Sequence, residues 1–203
     1  MVDIPSPDEF QRGCLAYQQH EKRDAMYKVA TFLVNHFWGN PDELADSVGV
    51  LLLTWNSAFY NRFGGFDFDL LEACIRKTFQ MICKFHEMNI LNYSSLDDKE
   101  INYLFLNYLS ALEIADGRSS PVGVAKTLHM LAPAYFPIWD REIAKVYHCS
   151  YDYSPITKYI KFIQLNKKIA EALSNVIDIQ KSNKTLLKLI DEYNYAKYTK
   201  KWV

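Results

Sequence analysis

Apolar positions recur along nearly the whole chain at helical, not strand, spacing. Met26, Val29, Ala30, Leu33, Val34 and Phe37 fall on one helical face. Leu44, Val48, Leu51, Leu52, Trp55 and Phe59 repeat the pattern, and so do Ile101, Leu104, Phe105, Tyr108, Leu109 and Leu112. Start signals precede these runs. Ser6-Pro7, Ser120-Pro121 and Ser154-Pro155 pair a capping hydroxyl with an N1 proline, while Pro41-Asp42-Glu43, Asp67 or Asp69, Ser94 or Ser95, Asp140 and Ser182 begin the others. Gly39-Asn40-Pro41, Asp116-Gly117 and Pro133 end helices. Helices are therefore predicted from Ser6 to about Lys22, Asp24 to Trp38, Pro41 through Phe59, about 69–88, and Ser94 through Leu112. Four more run from Ser120 to about Leu131, Asp140 to about His148, Ser154 to about Val176, and onward from Ser182. No segment alternates with period two, and Ile90-Leu91 and Val176-Ile177 are too short to carry a sheet. The expected fold is all-α: a single multi-helix domain over 1–203 with about eight or nine helices, closed by a basic, aromatic-rich helix over 182–203.

Composition sharpens this picture. A chain of 203 residues buries roughly 70% of its unfolded surface, so it builds a core without staples. Aromatic residues reach 15% while Gly and Pro number only 7 each, which leaves little turn material for a many-stranded fold. The net charge of −1 argues against a uniformly basic nucleic-acid binder. It hides an asymmetry: residues 141–203 carry twelve Lys and Arg against six Asp and Glu, and residues 1–140 eleven against eighteen. That end can face a polyanion, or it can be a solvated lysine face.

Cys14, Cys74, Cys83 and Cys149 form no CxxC pair, and no metal or cofactor is expected. Four scattered thiols behind an N-terminus without a basic, apolar leader suggest a cytoplasmic protein. The longest apolar run, Val48–Leu53, is too short for a membrane span. Zinc-protease, EF-hand and nucleophile-elbow motifs are missing from the sequence.

The densest chemistry lies in 119–147. Ser120-Pro121-Val122-Gly123 leads into a helix bearing Lys126-Thr127 and His129. A proline-bracketed aromatic loop follows, then Asp140-Arg141-Glu142-Ile143-Ala144-Lys145-Val146. Such a stiff loop would hold Trp139 and Asp140 in a fixed relation to Lys126 and His129. The stretch resembles the helix-hairpin-helix DNA glycosylase superfamily. Pro121-Val122-Gly123 stands at the hairpin and Lys126-Thr127 on the helix behind it, with Asp140 in the catalytic acid segment. Pro121 stands where that family has its first hairpin glycine, and it offers no N–H to a phosphate.

The resemblance implies DNA base excision, with glycosylase or lyase activity. Lys126 would be the nucleophile, Asp140 the assisting acid, and Gly123 a phosphate contact. His129, Trp139 and Tyr135 would belong to the pocket. This requires Lys126 and Asp140 to share one cleft with a positive rim.

Arg62, beside Phe63 and Gly64-Gly65, is a candidate for stacking on a base or gripping a phosphate. Lys188, Lys197, Lys200 and Lys201 are interleaved with Tyr193, Tyr195, Tyr198 and Trp202, which makes Lys197, Lys200 and Lys201 further candidate nucleic-acid contacts of the same kind. The alternative is a non-catalytic helical domain for protein interaction or oligomerisation, in which Asp140 only caps a helix.

Overall fold

The computed structural model describes residues 4–174 and 183–203. Ten α-helices occur among them: α1 (Pro7–His20), α2 (Ala25–His36), α3 (Pro41–Trp55), α4 (Ser57–Phe63), α5 (Phe68–His86), α6 (Asp98–Ala111), α7 (Pro121–Leu131), α8 (Arg141–Val146), α9 (Pro155–Leu173) and α10 (Leu186–Asn194). A π-helical turn, Tyr195–Thr199, continues α10. Within the described residues the one β contact is the single bridge between Phe66 and Ile114. The molecule is a single all-α domain.

Local rules account for most boundaries. Ser6, Asp67, Ser120, Asp140 and Thr185 each accept hydrogen bonds from first-turn amides of the helix they precede. The helix predicted through Phe59 divides at Asn56, giving α3 and α4. Val176 and Ser182, expected at the end of one helix and the start of the next, lie outside the described residues.

Helix α7 is the axis of the domain. Every residue from Gly123 to Leu131 is buried, and α2, α3 and α6 pack around it. A helix buried on all sides has no solvent face, so its polar side chains must find partners inside. Beside it sits an aromatic cluster: Trp139, fully buried, has Tyr151, Tyr159 and Phe162 rings at 5.2, 5.4 and 6.3 Å. Rings of this size bury about 150–250 Å² each and dominate core energetics.

The C-terminal elements lock onto α1. A Cβ on Gly13 would sit 2.5 Å from the Tyr193 ring, so the two helices reach this separation only with glycine there. Glu9 completes the lock, accepting from the Tyr193 hydroxyl at 3.0 Å and pairing with Lys197.

Candidate active site

The division between α3 and α4 creates the first element of the site. Phe59 N–H bonds to the Asn56 carbonyl instead of the Trp55 carbonyl one turn back. Asn56 is held out of the helix by its side chain, whose Nδ2 donates to Ser120 Oγ at 2.9 Å. The carbonyl of Trp55 is thereby left for a side chain, and Lys126 Nζ donates to it at 2.7 Å. Lys126 lies on α7, only 8% exposed. Burial disfavours its ammonium form and lowers its pKa to about 8, against the opposing pull of the Asp140 and Asp191 carboxylates. At neutral pH a useful fraction of this amine is therefore unprotonated, with a lone pair available.

The second element is Asp140. The loop before it is pinned at successive carbonyls: Pro133 accepts from Thr185 Oγ1 at 2.9 Å, Ala134 from Ile90 N–H at 2.8 Å, Phe136 from His129 at 2.7 Å, and Pro137 from the Tyr159 hydroxyl at 2.9 Å. A loop so held delivers the following residue to a fixed place. Asp140 Oδ1 accepts from Glu142 N–H at 2.8 Å, Ile143 N–H at 3.3 Å and Thr199 Oγ1 at 3.3 Å. It caps α8, and it also lines a cleft of about 450 Å³ together with Lys126.

The floor of that cleft comes from α10. Lys188 is fully buried, its ammonium 3.6 Å from Asp24, 3.5 Å from Asp191 and 3.4 Å from Glu192. The rings of Tyr17, Tyr27 and Trp55 surround it at 4.7, 4.6 and 5.2 Å. Burial alone would lower its pKa, but the three carboxylates outweigh burial and raise it, so Lys188 is a permanent cation. Asp191 lines the cleft just above, and burial raises its pKa to about 6 despite the Lys188 charge. Asp24 lines it too, in the left-handed region at φ 42°, its Oδ1 accepting from the Tyr17 hydroxyl at 3.1 Å.

Lys126 and Asp140 thus open into one cleft, walled by Tyr17, Trp55, Ile138 and Tyr195. Its lining is acidic, with Glu21, Asp24, Asp140 and Asp191 against Lys126. Lys22, Arg23, Arg141, Lys200 and Lys201 are exposed and adjoin lining residues or follow them by two positions in the chain.

The other candidates lie elsewhere. His129, Trp139 and Tyr135 are fully buried and do not line the cleft. A carbonyl only accepts, so His129 Nδ1 carries the proton given to Phe136, and Nε2 accepts from the Tyr27 hydroxyl at 3.0 Å. Burial first, and Lys188 nearby, push its pKa down to about 3, opposed by the hydrogen bond to Phe136. It is a neutral core histidine. Gly123 gives its N–H to Ser120 Oγ at 3.1 Å, so that amide is already used. Arg62 sits on α4 over the Phe63 ring at 4.9 Å, outside the cleft lining. Lys197 pairs with Glu9, while Lys200 projects over the Tyr195 ring at 5.5 Å.

Sequence reasoning missed Asp191, Asp24 and the aromatic wall Tyr17, and took Lys188 only as one of the C-terminal lysines interleaved with aromatic rings. On α10 the apolar Leu186, Leu187, Leu189, Ile190 and Tyr193 share one side and Lys188, Asp191 and Glu192 the other, so nothing in the pattern marks that polar side as buried.

Among the described residues no group of three or more His, Cys, Asp or Glu is disposed to hold a metal ion, and no helix is long and apolar enough to cross a membrane. Comparison of the chain with protein-family models, curated proteins and solved structures finds no match.

Proposed function

We propose that the cleft performs amine catalysis on a carbonyl carbon, with Lys126 as nucleophile, and that its substrate is a nucleic acid bearing an aldehyde-bearing sugar, as in the lyase half of base excision. The single observation carrying this reading is a buried lysine amine with a pKa of about 8 in a cleft shared with four carboxylates, two of which, Asp140 and Asp191, act on it. Burying a lysine costs stability, and a methionine would fill the same space. Its hydrogen bond to Trp55 occupies one N–H and leaves the lone pair to attack. Attack forms an N–C bond, and loss of water gives an iminium that withdraws electrons from the neighbouring C–H bond. Asp140, fixed by three donors, supplies a negative charge that stabilises this cation.

The flanking cations Lys22, Arg23, Arg141, Lys200 and Lys201 support a polyanionic substrate. They suit phosphates passing over the mouth while a sugar enters the acidic interior. The test is incision of a duplex carrying one abasic site. Wild type is expected to cleave it, and Lys126→Met to lose at least about 100-fold in rate. Equal cleavage by both proteins would overturn the role of Lys126, and none by either would overturn the nucleic-acid substrate.

A second reading, a protein-interaction domain, is favoured by one surface. Met26, Val29 and Phe32 follow one another along α2 as exposed apolar groups, beside exposed Val50 and Leu53 on α3. Phe32 is 65% exposed. Sedimentation of wild type against Phe32→Glu checks it: a concentration-dependent dimer lost in the variant supports association through this face, and two identical monomers contradict self-association.

A further inference from the structure

Imine formation needs a proton twice: one reaches the carbonyl oxygen as nitrogen attacks, and one leaves with the departing hydroxyl. Asp140 is committed at Oδ1 to three donors, Glu142 N–H, Ile143 N–H and Thr199 Oγ1, and serves as the fixed negative charge assigned to it above. The other candidate lies across the same cleft. Asp191 has one ionic partner, Lys188, at 3.5 Å, and its side chain is 10% exposed at the cleft floor. Lys188 cannot move away, being enclosed by three rings and by Asp24 and Glu192.

We propose that Asp191 is the proton-transfer group of this cleft, serving the Lys126 adduct, and that Lys188 is its positioning residue. The inference rests on the amine-catalysis reading above. In the forward direction the Lys126 lone pair forms the N–C bond, the carbonyl π pair passes to oxygen, and the proton lost by the Lys126 nitrogen ends on that oxygen, giving the neutral carbinolamine. The carbinolamine C–O bond then breaks, the Asp191 carboxyl gives its proton to the leaving hydroxyl, and water and an iminium result. Hydrolysis runs the same proton back to Asp191. The overall change is amine, aldehyde and the Asp191 proton to iminium and water, with Asp191 left as carboxylate and no oxidant or reductant needed.

The groups that face Asp191 come from every neighbouring element. Lys188 and Glu192 lie on α10, Tyr17 on α1, Asp24 and Tyr27 at α2, Lys126 on α7, and Asp140 at the start of α8. Together they leave the carboxyl with a pKa of about 6, raised by burial foremost, and the amine at about 8. The reactive form needs the carboxyl protonated and the amine neutral. Its population rises with pH up to about 6, stays level to about 8 and falls beyond.

The experiment follows labelling of the Lys126 peptide by glycolaldehyde with cyanoborohydride, from pH 5 to 10, in the full chain. Wild type should give the level region between pH 6 and 8. Asp191→Asn should label at least about 10-fold more slowly at pH 7 and lose the alkaline fall, so that its rate climbs through pH 8. Asp191→Glu keeps the charge beside Lys188 and serves if the asparagine variant does not fold. It should retain the profile shape at a reduced rate. An asparagine or glutamate variant with wild-type rate and profile would overturn the role of Asp191. No labelling of Lys126 in wild type would overturn both this inference and the amine reading beneath it. Labelling without incision of the abasic duplex would remove the nucleic-acid substrate alone.

Discussion

Lys126 is a residue the fold would be more stable without. Its pKa in the folded chain, about 8, lies below the ordinary 10.5. Between those values the unfolded chain binds the extra proton, so stability rises with pH across that window, and the penalty is full below pH 8. Its size is about 3 kcal/mol as an upper bound. Lys126→Met removes the penalty but orphans the Trp55 carbonyl, at a cost of about 1–2 kcal/mol. The variant should therefore be more stable than wild type by about 1–2 kcal/mol in urea unfolding at pH 7, with the gap shrinking toward pH 10. A variant less stable at pH 7 would mean that Lys126 is structural. Asp140 separates the same way. Asn caps a helix as well as Asp does, so Asp140→Asn should leave the melting temperature nearly unchanged while slowing aldehyde labelling of Lys126. Asp140→Ala should additionally cost about 1 kcal/mol.

At the scale of elements, two helices were only half legible in the sequence. The apolar period and caps of α1, α5 and α7 are plain, because both are written in neighbouring residues. The end of α3 is not, since a long-range hydrogen bond from Asn56 to Ser120 ends it. No local signal marks a boundary imposed by a partner 64 residues away. The role of α10 was hidden for a related reason. Its i, i+3 and i+4 charges, Lys188, Asp191 and Glu192, share its polar side, yet tertiary packing buries Lys188 and Glu192 and leaves Asp191 lining the cleft. Lys126 and Asp140 were legible because the stretch that joins them is short and stiff.

Burial decides what the α10 charges are worth. Lys188→Met leaves Asp24, Asp191 and Glu192 without their common cation, and should cost about 3–5 kcal/mol by thermal denaturation. Arg76→Ala removes an exposed guanidinium from Asp42 and Glu72 and should cost less than about 1 kcal/mol. Comparable losses from the two variants would contradict the buried network.

At the scale of the whole molecule, the charge asymmetry resolves into geometry. Glu21, Asp24 and Asp140 of the N-terminal part meet Asp191 of α10 in the cleft, while Arg141, Lys200 and Lys201 of the C-terminal part are exposed and follow lining residues within two positions of the chain. Replacing both Lys200 and Lys201 by Glu should weaken duplex binding. It should also lower the slope of log affinity against log salt by about 2, read by fluorescence anisotropy from 50 to 200 mM salt. Melting temperature should not change, since both side chains are exposed. An unchanged slope would place any phosphate contacts elsewhere.

The claim on which the rest depends is that the Lys126 amine reacts with a carbonyl in the cleft. Borohydride reduction of the protein mixed with an abasic duplex, followed by peptide mapping, tests it directly. The account requires a stable protein–DNA adduct on the peptide containing Lys126, absent from Lys126→Met. An adduct spread over exposed lysines and undiminished in that variant would contradict it.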